Sequence, residues 1–252
     1  MNRREIEGYL AEYLDVKGFS DSALNGLQVE GKDEVRRLAV AVSACSEAFR
    51  KASAGGADAL IVHHGLFWKE EWPKPVAGIF RDRLKVLLSA ECSLFAYHLP
   101  LDAHPEVGNN AVAARELGLE ELRPFAEYHG RCIGFEGRLR EPLQRSAFIE
   151  RLESFFGHRA FLVPAGPERI ARVGVVSGGA AREAEAAVAL GLDAYVTGEP
   201  GEPATYLCRE AGINFAALGH YATERVGVRA LAAHLHSRFG LDAFFIEVEN
   251  EA

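Results

Sequence analysis

The sequence lacks the features that mark membrane, disulfide-bonded and nucleic-acid-binding proteins. No apolar run approaches the length of a membrane span, and the N-terminal segment has no apolar core of a signal peptide. The four cysteines are scattered without a CxxC pair, which fits free thiols in a reducing compartment. A formal net charge of -8, with no lysine or arginine block, disfavours general binding of nucleic acid. We therefore expect a soluble, cytoplasmic protein with neither a membrane nor nucleic acid as partner.

What the sequence contains is a globular mixture arranged as alternating strands and helices. Of its 252 residues, 48% are hydrophobic and 25% are charged, enough for one large domain or two ordinary ones. An apolar strand pattern over residues 38–42 is followed by a helical pattern and by a second apolar strand over residues 59–62. This alternation predicts an α/β fold with a largely parallel sheet.

The second half of the chain repeats the pattern of the first half. Residues 41–62 have a counterpart in residues 175–197, each with a strand, a helix and a second strand. When His98 is set against His220, Asp102 falls on Glu224 and Gly118 on Gly240 without a gap. We therefore predict two similar α/β halves from an internal duplication, each with a mostly parallel or mixed sheet flanked by helices. The predicted domains are residues 1–124 and 125–252.

Five of the nine histidines follow predicted strands, where ligands bind in open α/β sheets; they are His63, His64, His98, His104 and His220. Both members of the adjacent pair His63-His64 can serve one site only if the backbone turns, and Gly65 allows that turn. Imidazoles combined with carboxylates suit iron, zinc, manganese or cobalt, and the set is large enough for two metals. The alternative is that the two histidines merely cap a strand.

Two loops offer weaker candidates. The Ser177-Gly178-Gly179 turn follows a strand and could hold a phosphate on its backbone amides, although a tight turn explains it equally well. Glu199 occupies the place that His63-His64 has in the first half, so it could carry protons, or it could be a solvated loop residue. The remaining histidines have no partners at ligand spacing and are interpreted as surface or structural residues; they are His129, His158, His234 and His236.

Five motifs together resemble the NIF-three-like family (the YbgI type), whose members are often called GTP cyclohydrolase type 2. They are Asn25-Gly-Leu-Gln-Val-Glu-Gly31, Ile61-Val-His-His-Gly65, His98-Leu-Pro-Leu-Asp102, Thr197-Gly-Glu199 and Gly219-His-Tyr-Ala-Thr-Glu224. The resemblance covers nearly the whole chain, and it implies two similar α/β domains and a toroidal homohexamer with metal sites facing an internal cavity. The large insertion that some relatives carry between the halves is absent, so no function of that insertion is transferred.

The resemblance also implies a set of metal ligands for two divalent transition metal ions; they are His63, His64, Asp102, His220 and Glu224, with Glu224 as the bridge. His98 would then line the pocket, and either His98 or Glu199 would move protons during catalysis. The implied activity is a metal-dependent hydrolysis of a nucleotide or similar small molecule, with opening of the GTP ring as its named form. The alternative is a non-catalytic metal-binding scaffold or a metal-responsive regulatory protein.

Overall fold

The computed structural model describes residues 1–71 and 73–250 of the chain. The strands, in chain order, are β1 Gly26–Val29, β2 Arg37–Ser43, β3 Ala59–His64, β4 Ser93–Ala96, β5 Leu119–Tyr128, β6 Arg131–Gln144, β7 Phe161–Pro164, β8 Arg169–Val175, β9 Ala194–Thr197, β10 Asn214–Ala217 and β11 Asp242–Phe245. The α-helices are α1 Arg3–Tyr13, α2 Ser46–Ala54, α3 Gly78–Ser89, α4 Leu99–Asp102, α5 Asn109–Glu116, α6 Arg145–Phe156, α7 Ala184–Ala189, α8 Glu202–Ala211 and α9 His220–Phe239.

The first compact unit comprises Met1–Leu101 and Val228–Glu249 and contains a five-stranded sheet. Its strand order is β1-β4-β3-β2-β11, and all neighbours are parallel except β1, which runs antiparallel to β4. The central strands β2, β3 and β4 are buried along almost their whole length, as their continuous apolar sequences require in a sheet covered on both faces. The carboxyl ends of β2, β3 and β4 therefore lie side by side.

The second compact unit contains Asp102–Gly227 and a six-stranded sheet. Its order is β5-β6-β8-β9-β10-β7, in which β8, β9 and β10 are parallel and the outer strands are antiparallel to their neighbours. The core of this unit packs helices α5 and α6 against the sheet through buried side chains such as Leu117, Phe148 and Leu152. The carboxyl ends of β8, β9 and β10 share one edge of this sheet.

The two similar halves and the mixed α/β class that the sequence predicts are confirmed. The division between the compact units, however, does not fall at the predicted boundary near Pro124. Strand β5 follows α5 and joins the second sheet, whereas β11 follows α9 and pairs with β2 of the first sheet. The last strand of each sequence repeat is thus exchanged into the sheet of the other repeat.

No helix among the described residues combines the length and the apolar character needed to cross a membrane.

Candidate metal centre

Three histidines gather at the carboxyl edge of the first sheet, and we call them the His63 group: His63, His64 and His98. His63 and His64 end β3, and His98 follows the neighbouring parallel strand β4. A potential ligand nitrogen of each of the three lies within 4.8 Å of those of the other two. The parallel arrangement of β3 and β4 therefore brings His98 close to the His63-His64 pair.

Each imidazole of the His63 group is held at Nδ1 by an oxygen atom. His63 Nδ1 donates to the backbone carbonyl of Tyr97 at 3.0 Å, and His98 Nδ1 donates to Asp21 Oδ1 at 2.9 Å. His64 Nδ1 is hydrogen-bonded to Ser43 Oγ at 3.0 Å, across the β2–β3 ladder. Carbonyl and carboxylate oxygens only accept, so Nδ1 of His63 and of His98 carries a proton and Nε2 is the ring nitrogen left for a metal. Metal-binding histidines in proteins usually have this arrangement, in which one ring nitrogen donates to an oxygen atom and the other binds the metal.

A second set of donors, the His220 group, lies at the carboxyl edge of the second sheet and consists of Asp102, His220 and Glu224. His220 and Glu224 are one turn apart at the start of α9, with His220 Nε2 3.2 Å from Glu224 Oε1. His220 Nδ1 donates to Glu199 Oε1 at 2.6 Å, so this histidine is supported in the same way as the His63 group. The predicted Glu199 therefore contacts a predicted ligand.

Asp102 ends the short helix α4 and is buried, with only 7% of its surface exposed. Its Oδ1 accepts from Asn109 Nδ2 at 2.8 Å and from Ser177 Oγ at 3.1 Å. Asn109 is in turn fixed by Gly227 N, which donates to its side-chain oxygen. A carboxylate oriented by such bonds is typical of a metal ligand supported by its surroundings.

The turn at Ser177-Gly178-Gly179 supports these ligands and does not offer its first two amides to a phosphate. Ser177 N donates to Asn110 Oδ1 at 2.6 Å, and Gly178 N donates to Thr223 Oγ1 at 3.0 Å. Gly178 has a φ of +68°, and a Cβ at this position would lie 2.2 Å from Glu224 Oε1. The turn therefore makes room for the Glu224 carboxylate, and the phosphate interpretation of these amides does not hold.

The charges of the His220 group favour a cation. Burial lowers the pKa of His220, but the adjacent carboxylates of Glu224 and Glu199 outweigh it and raise the pKa to about 9. A positive charge is therefore stabilised on His220 between two carboxylates, and a bound metal ion would replace this proton. The imidazoles of both groups and the buried carboxylates of Asp102 and Glu224 are donors that fit divalent ions such as iron, zinc or manganese.

Asp21 is a site residue that the sequence analysis missed. Its two carboxylate oxygens accept from His98 Nδ1, from the side chain of Asn25, and from the backbone amides of Ala23 and Leu99. Nothing in its local sequence distinguishes it from other loop aspartates, because the partners that connect it to the site, His98 and Leu99, are distant along the chain. Its neighbour Asn25 begins the glycine-containing Asn25–Gly31 motif, which was the one available signal.

Asp21→Asn is expected to lower the free energy of unfolding by about 2 kcal/mol at pH 7. Burial opposes ionisation of Asp21, but its hydrogen bonds, above all that from His98, hold its pKa at about 2 instead of 3.8. The stabilisation is present above pH 3.8 and is lost as the pH falls towards 2. Urea unfolding at pH 7 and pH 3 measures it, with the exposed Asp82→Asn as control. An equal stability of Asp21→Asn and the native protein at pH 7 would contradict the assignment.

The other histidines make local contacts. His104 Nδ1 accepts from the backbone amides of Glu106 and Val107. His158 and His236 each donate to a nearby backbone carbonyl, of Arg159 and Leu241 respectively. His234 is hydrogen-bonded to Tyr9 and Tyr13. Trp68 donates its indole N–H to Gly65 O, and its ring lies edge-on to His98 with centroids 5.2 Å apart.

A model of the Duf34/NIF3 family (NGG1p interacting factor 3) matches residues 1–252. The chain belongs to this family. A Pseudomonas aeruginosa member called "GTP cyclohydrolase 1 type 2 homolog" is 45% identical over 240 residues, which are 95% of this chain and 94% of that protein. A Deinococcus radiodurans member with the same name is 41% identical over 246 residues, covering 98% and 93%. The solved structure of the protein ybgI, described as of unknown function, superposes with a TM-score of 0.94 at 40% identity over all of both chains. The predicted resemblance to this Duf34/NIF3 family is thus confirmed.

Proposed function

We propose that the His63 group and the His220 group together bind two divalent transition metal ions, iron, zinc or manganese, as one dinuclear centre. The proposed ligands are His63, His64, Asp102, His220 and Glu224, with Glu224 as the bridge. The observation that carries the proposal is that the Nδ1 atoms of all four histidines of these groups are held by oxygen atoms. Such support prepares Nε2 for a metal, and histidines that only cap a strand do not require it.

Chain connectivity also supports a shared centre. Asp102 follows His98 by four residues, so their Cα atoms can be no more than about 14 Å apart whatever the conformation between them. The duplication places Glu224 at the position equivalent to Asp102, so each repeat contributes one carboxylate. A pair of carboxylates and several imidazoles is the donor set that dinuclear hydrolytic sites use.

We infer that the centre hydrolyses a nucleotide or a similar small molecule. Two metal ions bound there would supply an activated water for the attack and would stabilise the negative charge that develops on the substrate. In the described chain, Asp21 holds the His98 ring by its Nδ1, so the opposite edge of the ring is oriented to take up or deliver a proton. Glu199 orients His220 and can take its Nδ1 proton. GTP is the first substrate to test, because the curated relatives carry the GTP cyclohydrolase name.

The second candidate is a non-catalytic metal scaffold or a metal-responsive protein. It is favoured by the number of donors: three imidazoles of the His63 group, His220 and two carboxylates could saturate both ions and leave no position for water. The structure and the comparisons fit either candidate, and the two differ in turnover. We further propose a toroidal homohexamer and a cytoplasmic location, which the family resemblance and the free cysteines support.

The deciding experiment measures metal, assembly and turnover on one sample, purified without chelators or a histidine tag. Plasma mass spectrometry is expected to give about two equivalents of a transition metal per chain, and native mass spectrometry is expected to give six chains. Release of formate from GTP by this sample would support the hydrolase. Two metals without turnover of GTP or other nucleotides would favour the scaffold. Protein that takes up no iron, zinc or manganese after reconstitution would overturn the metal centre itself.

A further inference from the structure

A cavity of about 290 Å³ lies in the second unit beside Glu199. Its floor is formed by Gly198 and Gly219, which follow the parallel strands β9 and β10. Ligands of open α/β sheets bind at this end of the strands. The volume is at the lower end of small-molecule sites, about 300–1,000 Å³, so the cavity suits one ring system with a substituent.

One wall of the cavity is an exposed aromatic ring. Phe161 begins β7, pairs with Ala217 in the sheet, and leaves 46% of its surface exposed. Within residues 1–71 and 73–250 its ring stacks on no other aromatic ring. A fixed strand position therefore presents an open aromatic face to the cavity, which is what stacking on a planar heterocycle requires.

The same cavity is lined by a cationic side chain, Arg159. Its guanidinium forms no ion pair with a carboxylate of the described chain. Its backbone is tied to the cavity floor, because His158 Nδ1 donates to Arg159 O at 2.8 Å and the His158 ring packs against Gly219. An arginine with no internal carboxylate partner can bind two oxygens of a phosphate through its planar fork.

Glu199 connects the cavity to the His220 group. It lines the cavity, and its Oε1 accepts from His220 Nδ1 at 2.6 Å. A ligand in the cavity is therefore separated from His220 by a single side chain. Because the Glu199 carboxylate repels anions, an anionic substituent belongs on the Arg159 side and an uncharged ring on the Glu199 side.

We propose that this cavity binds a nucleoside monophosphate unit, with its base against Phe161 and its phosphate on Arg159. The inference rests on the proposed function and makes it specific, since it names the substrate class and the residues that select it. Phe161 supplies stacking, Arg159 supplies the phosphate contact, and His158 positions Arg159. The base is thereby directed towards Glu199 and His220, where the reaction would take place.

Equilibrium dialysis of the metal-loaded protein against GMP and guanosine tests the proposal. Arg159→Gln is expected to weaken GMP binding about tenfold and to leave guanosine binding within about twofold, because only GMP carries the phosphate. Phe161→Ala is expected to weaken both ligands about fivefold or more, because both carry the base. Arg140→Gln and Tyr128→Ala are the matched controls, since both residues are exposed on the strands at the opposite end of the same sheet.

The outcomes separate this proposal from the metal centre. Native GMP affinity in both cavity variants, or an equal effect of the two control variants, overturns the cavity assignment. Metal-loaded native protein that fails to bind GMP also overturns it while leaving the metal centre in place. Protein that takes up no iron, zinc or manganese on reconstitution but binds GMP in an Arg159-dependent manner would support the cavity and refute the dinuclear centre. Thermal unfolding of each variant confirms that the exposed substitutions leave the fold intact.

Discussion

Glu224→Ala or His64→Ala is expected to reduce bound metal from about two equivalents per chain to fewer than about one. Glu224 is the proposed bridge, and it has only 3% of its surface exposed beside His220 Nε2. Its removal would take one oxygen ligand from each ion at once. His64 stands at the end of β3 with its ring fixed by Ser43, so its loss removes one oriented nitrogen. Plasma mass spectrometry after dialysis against metal-free buffer measures the loss.

The control for these variants must separate loss of metal from loss of fold. Glu150→Ala and His236→Ala change exposed residues of the same types, on α6 and α9, and are expected to keep the full metal content. The circular dichroism of Glu224→Ala and His64→Ala is expected to stay native. Both variants retaining two metals with native spectra would refute the proposed ligand set.

Gly178→Ala is expected to damage both stability and metal binding. The left-handed backbone at φ +68° costs a residue with a Cβ about 1–2 kcal/mol. The new methyl group would also lie 2.2 Å from Glu224 Oε1, and moving this buried carboxylate adds about 1–3 kcal/mol. Because Glu224 is the proposed bridge, metal affinity should fall together with the free energy of unfolding. Urea unfolding and metal titration of the same preparation test both effects.

Gly191→Ala is the matched control for this variant. Gly191 has a φ of +61°, and a Cβ there would meet nothing within 4 Å. Gly191→Ala should therefore lower the free energy of unfolding only by the backbone cost of about 1–2 kcal/mol and leave metal binding unchanged. If Gly178→Ala and Gly191→Ala behaved alike in both measurements, the contact with Glu224 would have no role in the site.

The residues at the strand ends could be predicted from the sequence because their signals are local. Continuous apolar runs mark β3 and the neighbouring strands as buried, and buried parallel strands must bring their carboxyl ends to one edge. His63, His64 and His98 follow from that rule alone. The correspondence of His98 with His220 needed only a comparison of the chain with itself.

Two supporting contacts could not be predicted because the residues that form them are distant along the chain. Asp21 reaches His98, Ser177 reaches Asp102, and neither pairing leaves a periodic pattern in the sequence. The strand exchange was missed for the same reason. The sequence of a short strand such as β11 does not indicate which strand it pairs with, because hydrophobic pattern and strand propensity do not specify the sheet edge that it joins.

The exchanged strand β11 also decides when the first sheet can be completed during synthesis. Arg37–Val40 of β2 pair with Asp242–Phe245 of β11, which follows 205 residues later in the chain. Domains otherwise fold as they emerge, at about 5–20 residues per second. Here one edge of β2 has no partner strand until β11 has been synthesised. Until then a nascent chain exposes one unpaired edge of an apolar strand, which is the kind of surface that chaperones bind.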